Sequence, residues 1–355
     1  MKDKKVLSLI LISVMVLTLF TACGGTDKPT AGQSPAPGGE PSAEPIVMKF
    51  GNNGVSDMSH PQNVAMLAFK DMVEEKTNGQ IIVETYPAAQ LGDARTMVEG
   101  IQMGTIEFAD IENGPMGRFV PETMLWDLPY LFRDFDHAHA VTDGPIGDKI
   151  REMFLDKGIR VFAYNDGGFR YFTNSVRPIT SVEDMQGLKI RVMESEVMIN
   201  SINAFGASAI PMAFGEVYTA LQQGTVDGQE NPLDLIDSQA YFEVQDYLAL
   251  SEHFYYPRQY MISEKFYQTL TPEHQKIIEE SAIEACKIQR EELAKYSVTL
   301  LDKLQTEGGM EVSEVNKEGF MKIAQEEVYP MFYEIIGGGD AEAGKALLEE
   351  VINTK

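Results

Sequence analysis

Several residue types are scarce in this chain, and so is positive charge. Its 355 residues include two cysteines, one tryptophan and five histidines, with 29 lysines and arginines against 54 acidic residues, for a formal charge of −25. This excess of acid argues against a nucleic-acid partner, because phosphate backbones are bound by basic surfaces. It also repels anionic ligands at long range, so an acid must be held by a few local cations within a cleft.

Cysteine is too scarce for a disulfide framework in the body of the protein. Cys286 is the only thiol that follows Cys23 in the sequence, so no intramolecular disulfide can form there. Cys286 lies in a helical pattern, which favours an inert core residue over a nucleophile.

The one long hydrophobic run is at the start of the chain. Lysines at positions 2, 4 and 5 precede an apolar or hydroxyl-bearing stretch over residues 6–20, as in a secretory signal peptide. The stretch is short for a membrane span. Small residues precede Cys23, as at the site where bacterial prolipoproteins are cleaved and acylated, although Phe20 stands where that pattern usually has leucine. We expect a signal peptide over residues 1–22 and a lipid on Cys23.

Residues 23–45 are rich in Gly, Pro, Ser and Ala and lack apolar periodicity, which predicts a flexible tether. The predicted location is therefore extracytoplasmic, with the body held at the cell membrane by the lipid on Cys23.

The body that follows is longer than a single hydrophobic core usually supports, so two domains are expected. Predicted strands at 47–52, 81–86 and 106–111 alternate with two predicted helices. The first helix has apolar residues at i, i+3, i+4, i+7 and i+8 from residue 65, and the second helix covers 93–103. This order predicts an α/β fold with a parallel sheet covered by helices. Ligands of such sheets lie beyond the carboxyl ends of strands, which selects the loops at 52–53 and 112–113; the alternative is that Asn and Gly there only form turns.

A second α/β unit is predicted from strands at 160–164, 169–173, 188–192 and 226–229, with helices near 196–205 and 214–223. Ser181 and Asp184 are expected to cap a single turn that ends at Gly187. Thr271 and Pro272 begin a helical pattern that continues unbroken to Gly308, which predicts one long helix across more than one lobe.

Catalytic and metal-binding patterns are missing from the sequence. It contains no G-x-S-x-G, no G-x-x-x-x-G-K-[ST] and no H-E-x-x-H motif. His137 and His139 form the only metal-like grouping, but alternate residues of a helix point to different faces, so a solvated helix start is the preferred interpretation. We expect no catalytic residues, no cofactor and no metal.

Two arginines lie within or beside apolar strands. Arg170 is in the segment GFRYF and Arg191 in LKIRV. A guanidinium in such a place needs a partner, and its planar fork suits a carboxylate. With no obvious acidic mate in the sequence, the partner is either a ligand or an acidic residue distant along the chain, and spacing alone leaves both open.

A set of ordered motifs runs through the chain: LKIRV at 188–192, PMAFGEVY at 211–218, ALQQG at 220–224, VDGQENP at 226–232, YPAAQLGD at 86–93, LPY at 128–130 and the Arg170 strand with Asn174. In these segments the chain resembles the DctP family, the substrate-binding subunits of tripartite ATP-independent periplasmic (TRAP) transporters. The segments extend over nearly the whole chain from about residue 46.

The resemblance implies a two-lobed, periplasmic-binding-protein-like (type II) fold with crossing hinge strands and a long lobe-spanning helix. We expect residues 46–167 with 257–296 in lobe I and residues 168–256 with 297–355 in lobe II. It also implies that Arg191 grips a ligand carboxylate, that Arg170 and Asn231 assist, that Phe214 walls the pocket, and that Asn53 and Glu112 reach in from the opposite lobe. The implied partners are a small carboxylate ligand and the integral membrane subunits of a TRAP transporter.

Glu194 departs from family members that carry an amide after R-V-P. A carboxylate there accepts hydrogen bonds from ligand hydroxyls and repels a second acid group, which favours a uronate or another sugar acid over a C4-dicarboxylate, with sialic acid an alternative; Glu194 facing solvent is the other interpretation. The rival functions are a ligand-presenting sensor module and an exported sugar-acid enzyme. An ABC-type binding protein shares the architecture but lacks these motifs.

Overall fold

The computed structural model describes residues 44–355, so the predicted signal peptide, Cys23 and nearly all of the tether lie outside the described residues. The strands of this part are β1 (Ile46–Asn52), β2 (Ile81–Tyr86), β3 (Phe108–Glu112), β4 (Ile159–Asn174), β5 (Lys189–Val192), β6 (Ser208–Pro211), β7 (Gly228–Asn231), β8 (Tyr247–Ser263) and β9 (Glu311–Glu314).

The α-helices are α1 (Pro61–Lys76), α2 (Ala94–Met103), α3 (Phe135–Thr142), α4 (Pro145–Met153), α5 (Glu196–Ala204), α6 (Val217–Gln222), α7 (Leu233–Ser238), α8 (Glu264–Tyr267), α9 (Pro272–Ser297), α10 (Leu300–Thr306), α11 (Glu318–Ile323), α12 (Tyr329–Ile336) and α13 (Ala341–Asn353). A π-helical segment, Ala324–Val328, joins α11 to α12. Ser181 and Asp184 form a capping box on the short 3₁₀ turn Val182–Met185, as predicted.

The strands form one sheet in the order β2-β1-β3-β8-β4-β7-β5-β6, with β9 paired to β8. At one end β1 is parallel to β2 and β3, which confirms the parallel arrangement predicted there. At the other end β5 is parallel to β6 and β7. The long strands β4 and β8 pair antiparallel between these two groups, so they are the crossing strands of a two-lobed fold.

The prediction of two separate strands at 160–164 and 169–173 is wrong, because β4 continues through both. Its middle, Asn165-Asp166-Gly167-Gly168, resembles a turn in sequence but stays extended against β8. The pairing is irregular between Asp166 and Gly168, where Gly168 has a φ of +97°. A Cβ at Gly167 would lie 2.4 Å from the Tyr256 ring, so glycine is what lets the strands pass each other here.

The predicted unbroken helix up to Gly308 is also wrong. Helix α9 ends at Ser297, and α10 begins at Leu300. Val298 and Thr299, which separate them, are both β-branched and therefore weak helix formers. The break changes the direction of the chain, and Leu304 of α10 packs with Leu248 and Val217 in a different core cluster from α9.

Helix α9 contacts elements at both ends of the sheet. Ile278, Ala282 and Ala285 share a core cluster with residues of β1 and α1, while the hydroxyl of Tyr296 lies 3.5 Å from a carboxylate oxygen of Asp237 on α7. The predicted helix across more than one lobe is confirmed in this shorter form. Cys286 is buried in the same cluster, and burial raises the pKa of its thiol well above the usual range.

Candidate functional site

A cavity lies beyond the carboxyl ends of β1, β3, β5 and β7, and residues from both parallel groups of strands line it. It encloses about 490 Å³, including the part open to solvent. Six of the seven predicted ligand-binding residues line it: Asn53, Glu112, Arg170, Arg191, Phe214 and Asn231. The seventh, Glu194, is half-buried and lines an adjoining cavity of about 440 Å³, together with Asn53, Glu112, Arg191 and Phe214.

Arg191 is a buried cation whose side chain has a backbone carbonyl as its only direct partner among the residues that the structure describes. Strand β5 turns Ile190 and Val192 into a core cluster, so Arg191 points to the opposite face. Its Nε and Nη2 donate to the carbonyl oxygen of Met212 at 3.1 and 2.7 Å. Its Nη1 is buried and has no hydrogen-bond partner among residues 44–355. Burial lowers the pKa of Arg191, and the site still offers one guanidinium donor to a ligand.

Arg170 differs, because an internal acid neutralises it. The Arg170 Nε and Nη2 contact the Glu230 carboxylate, and Nη2 also donates to the Asn231 Oδ1 at 3.0 Å. Burial opposes the charge of Arg170, but the attraction of Glu230 raises its pKa overall. The acidic residue distant along the chain, one of the two partners that the sequence left open, is therefore the one that Arg170 contacts.

The acidic mate of Arg170 was present in the QENP segment but lies on another strand. The antiparallel register of β4 and β7 pairs Tyr171 with Asn231 and Phe172 with Glu230, which brings together residues 60 positions apart. Of the two alternatives left open by the sequence, the structural ion pair applies to Arg170. The Asn231 amide is also engaged within this lobe, since its Nδ2 donates to the Gln229 side chain.

The opposite wall is built around Arg258 of β8, which the sequence analysis missed. Its Nε donates to the Asp110 Oδ1 at 3.1 Å and its Nη1 to the Glu112 Oε2 at 3.3 Å. The Asn53 Nδ2 donates to the Glu112 Oε1 at 2.8 Å. Burial opposes the charge of Arg258, yet Asp110 and Glu112 raise its pKa. A single arginine in the apolar segment 253–263 is the same signal that identified Arg170 and Arg191.

Each of the two loops selected from the sequence contributes one residue to the cavity and one residue to hydrogen bonds within the surrounding structure. Asn53 and Glu112 line the cavity. Asn52 instead donates to the Asn63 Oδ1 at 2.9 Å, and Asn113 donates to the Asp127 Oδ1 at 2.8 Å. For Asn52 and Asn113 the structural interpretation of the loops applies.

A direct contact crosses the cavity between His60 and Asp234. His60 caps α1 and accepts the Gln62 backbone N–H at its Nδ1, which leaves Nε2 as the protonated nitrogen of the neutral ring. Nε2 lies 3.2 Å from the Asp234 Oδ2 on α7. The Asp234 Oδ1 is buried and without a hydrogen-bond partner in the described part of the chain. An N-cap and a first-turn acid are ordinary helix signals, so nothing in the sequence selected either residue.

The two histidines of the metal-like grouping have separate structural partners. His139 is half-buried, with Nε2 2.8 Å from the Asp166 Oδ1. His137 is buried and its Nε2 lies 2.9 Å from the Val351 carbonyl oxygen, so the prediction of a solvated helix start is wrong for this residue. Across residues 44–355, no group of three or more His, Cys, Asp or Glu side chains is arranged to hold a metal ion.

Comparison with known proteins identifies the family. The DctP family, described as bacterial extracellular solute-binding protein family 7, matches residues 53–335. The chain belongs to this family. It is 34% identical over 304 residues to the 2,3-diketo-L-gulonate-binding periplasmic protein YiaO of Escherichia coli, covering 86% of this chain and 90% of that protein.

A solute-binding protein of Verminephrobacter eiseniae is 38% identical over 300 residues, 84% of this chain and 87% of its own. The crystal structure of a TRAP periplasmic solute-binding protein from a Polaromonas species, bound to D-erythronate, aligns with a TM-score of 0.81 at 36% identity over 87% of this chain and 99% of that one. These matches confirm the expected family and the two-lobed fold. None of the helices in residues 44–355 has both the length and the apolar character needed to cross a membrane.

Proposed function

We propose that this DctP-family protein is the solute receptor of a TRAP transporter and that it binds a small organic acid through Arg191. The observation that carries this proposal is a buried guanidinium with a free donor at the wall of the cavity between the lobes. Burying an unpaired charge is unfavourable, and a ligand carboxylate is the partner whose geometry and charge correct it.

The other predicted site residues receive supporting roles in the proposal. Asn231 and Arg170 line the cavity beside Arg191. Because Glu230 already neutralises Arg170, the contribution of Arg170 is to orient Asn231 through the hydrogen bond to its Oδ1. Phe214 provides an apolar wall to both cavities. Asn53 and Glu112, held by Arg258, present polar atoms from the first lobe.

A hydroxylated monoacid is the ligand class that the site favours. Glu112, Asp234 and Glu194 line the two cavities, and carboxylates accept hydrogen bonds from hydroxyls but repel a second acid group. Related structures were solved with β-D-galacturonate in a Sulfitobacter protein, β-D-glucuronate in a Roseobacter denitrificans protein and succinate in a Sulfurospirillum deleyianum protein. We place this chain with the sugar-acid binders, with dicarboxylates and sialic acid as the ligands to be tested against them.

The proposed mechanism is closure of one lobe on the other around the ligand. Arg191 and Asn231 lie on the second lobe and bind the carboxylate first, and Asn53, Glu112 and His60 then approach from the first lobe. The predicted lobe boundaries stay a prediction. Leu347 and Val351 of α13 pack in the same core as α2, α3 and α4, which favours placing α12 and α13 with lobe I rather than lobe II.

Delivery to membrane subunits and anchoring by a lipid on Cys23 complete the proposal. The family places the protein outside the cytoplasm, and a tethered receptor stays near the transporter without being fixed to it. Metabolic labelling with a fatty-acid analogue tests the anchor, with Cys23→Ala as the unlabelled control. Label retained by Cys23→Ala would contradict it.

Titration calorimetry of the folded body against a panel of acids tests the function. We expect binding of at least one acid among D-glucuronate, D-galacturonate, D-erythronate, succinate and sialic acid, with the same acid recovered unchanged after incubation. Binding of none contradicts solute reception of this class, and conversion of the acid supports the rival enzyme. Uptake that depends on co-expressed TRAP membrane subunits separates a transport receptor from a sensor module.

A further inference from the structure

Two buried polar atoms in the cavity wall have opposite hydrogen-bonding needs. Of the residues that line the cavity, only Arg191 and Asp234 carry buried side-chain atoms without a hydrogen-bond partner within residues 44–355, the donor Nη1 and the acceptor Oδ1. Asp234 is 5% exposed. An unsatisfied buried carboxylate oxygen is unfavourable in a folded protein, so Asp234 needs a donor as Arg191 needs an acceptor.

We propose that Asp234 is a specificity-determining residue that accepts a hydroxyl of the ligand and excludes a second carboxylate. The proposal rests on the proposed function, because it assumes that Arg191 holds the ligand carboxylate. Both residues belong to the second lobe, Arg191 at the end of β5 and Asp234 in the first turn of α7. One ligand with a carboxylate and a hydroxyl satisfies both atoms. A dicarboxylate satisfies Arg191 but presents a second negative charge to Asp234.

The second oxygen of Asp234 links this recognition to closure. His60 belongs to the first lobe, and its Nε2 lies 3.2 Å from the Asp234 Oδ2. Its ring also packs edge-on against Tyr296 of α9, with centroids 5.6 Å apart. The same carboxylate therefore accepts the ligand hydroxyl on one oxygen and the opposite lobe on the other. Loss of the His60 contact therefore lowers the affinity for every ligand, and Asp234 acts in addition on the choice among ligands.

Two sets of acids matched in chain length test the proposal by calorimetry. The first is D-erythronate, succinate and butyrate, and the second is D-glucuronate, adipate and hexanoate; each set contains a hydroxylated acid, a dicarboxylate and a plain monoacid. We expect the wild type to prefer the hydroxylated acid. Asp234→Ala should weaken its binding about 10- to 100-fold more than it weakens binding of the plain monoacid, the effect of losing a hydrogen bond to a charged group. Because this variant also loses the His60 contact, binding of the plain monoacid should weaken only by the factor that His60→Gln produces.

Asp234→Asn removes the negative charge of the side chain with little change in its shape. It is the variant to measure if Asp234→Ala does not fold. We expect it to raise the affinity for the dicarboxylate at least about threefold, because the repulsion is gone. Asp237→Asn is the matched control: Asp237 lies one turn later on α7, outside the cavity, and bonds Lys303 at 2.8 Å. It should leave the selectivity unchanged. His60→Gln should weaken binding of all acids by a similar factor.

The outcomes separate this inference from the proposed function. Wild-type protein that binds none of the acids in these two sets or in the panel given under the proposed function contradicts the proposed function. Wild-type protein that binds a hydroxylated acid, with Asp234→Ala and Asp234→Asn leaving the selectivity ratio within about threefold, contradicts the role of Asp234 alone. Tighter wild-type binding of a dicarboxylate than of the matched hydroxylated acid also overturns that role and leaves solute reception intact.

Discussion

The protein buries guanidinium groups in two different ways. On the crossing strands, Arg170 and Arg258 are each held by buried carboxylates, Glu230 for the first and Asp110 with Glu112 for the second. On β5, the side chain of Arg191 has only the Met212 carbonyl as a partner within the described part of the chain. The first two arginines have acidic partners before any ligand arrives, and the third has none there. We therefore expect an internal acidic partner, rather than burial or position near the cavity, to separate a structural arginine from one that binds the ligand.

Replacing Arg191 tests the arginine that lacks an acidic partner, and it has the largest expected effect on binding. We predict that Arg191→Ala weakens binding of the cognate acid by about 3–5 kcal/mol, because the ligand carboxylate is left buried without its cation. The unfolding free energy of the free protein should not fall, since a poorly paired buried charge is removed. Calorimetry and urea unfolding measure the two quantities. Arg118→Ala, at an exposed arginine outside the cavity, is the control, and affinity within about threefold of wild type would refute the role.

Replacing Arg170 should give the opposite pattern. Arg170→Met leaves the Glu230 carboxylate buried without its cation, and we predict a loss of about 3–5 kcal/mol in unfolding free energy. The double variant Arg170→Met with Glu230→Leu should recover most of it, because no charge then remains buried alone. Urea denaturation at neutral pH measures both. A single variant as stable as wild type would remove the distinction drawn between the two arginines.

The same comparison applies to Asp127, a buried acid whose hydrogen-bond donors among the described residues are neutral. It accepts from the Asn113 Nδ2 at 2.8 Å and the Ser195 Oγ at 2.7 Å, and burial raises its pKa from 3.8 to about 6. The folded protein therefore binds more protons than the unfolded chain between these values. The contribution of Asp127 to stability is complete below pH 3.8 and is lost as the pH rises through about 6.

The expected size of that loss is about 3 kcal/mol, from the shift in pKa. Asp127→Asn should remove it, so the stability difference between wild type and variant should change by about this amount between pH 4 and pH 7. Urea unfolding at both pH values measures the difference. Asp71→Asn, at an exposed acid on α1, should show no such change. A pH-independent difference for Asp127→Asn would show that burial does not govern this group.

Glu194 provides the smallest expected effect. It is half-buried in the adjoining cavity, and solvent weakens the electrostatic interactions of such a group. We predict that Glu194→Gln changes affinity for a hydroxylated acid by less than about 1 kcal/mol, and that it favours dicarboxylates less than Asp234→Asn does. Calorimetry with the matched acids measures this. A larger effect of Glu194→Gln would move the site of discrimination to the adjoining cavity.

Local patterns predicted much of the fold and singled out the arginine at the centre of the proposed site. Alternation of strand and helix signals located β1 to β3 and their parallel order, and a lone cation in an apolar strand identified Arg191. The features that the sequence patterns did not predict depend on contacts between residues far apart along the chain. Arg170 meets Glu230 only through the β4–β7 register, and His60 meets Asp234 across 174 positions.

Two further errors came from local signals that tertiary structure overrides. The glycines at 167 and 168 looked like a turn, yet pairing with β8 keeps them in a strand. The helical pattern ran past Ser297, although two β-branched residues and a second core redirected the chain at Val298. In both places the sequence fits its local expectation and the neighbouring elements decide the outcome.

The continuous pairing of β4 with β8 has a consequence for how the receptor moves. Their backbone hydrogen bonds run from one lobe to the other, so neither strand can slide along its neighbour without exchanging every side chain between faces. We therefore expect opening to bend this pair of strands rather than to slide one along the other. Their pairing is irregular at three places, between Val161 and Ala163, Asp166 and Gly168, and Arg170 and Phe172, so the bend is expected to fall within this stretch.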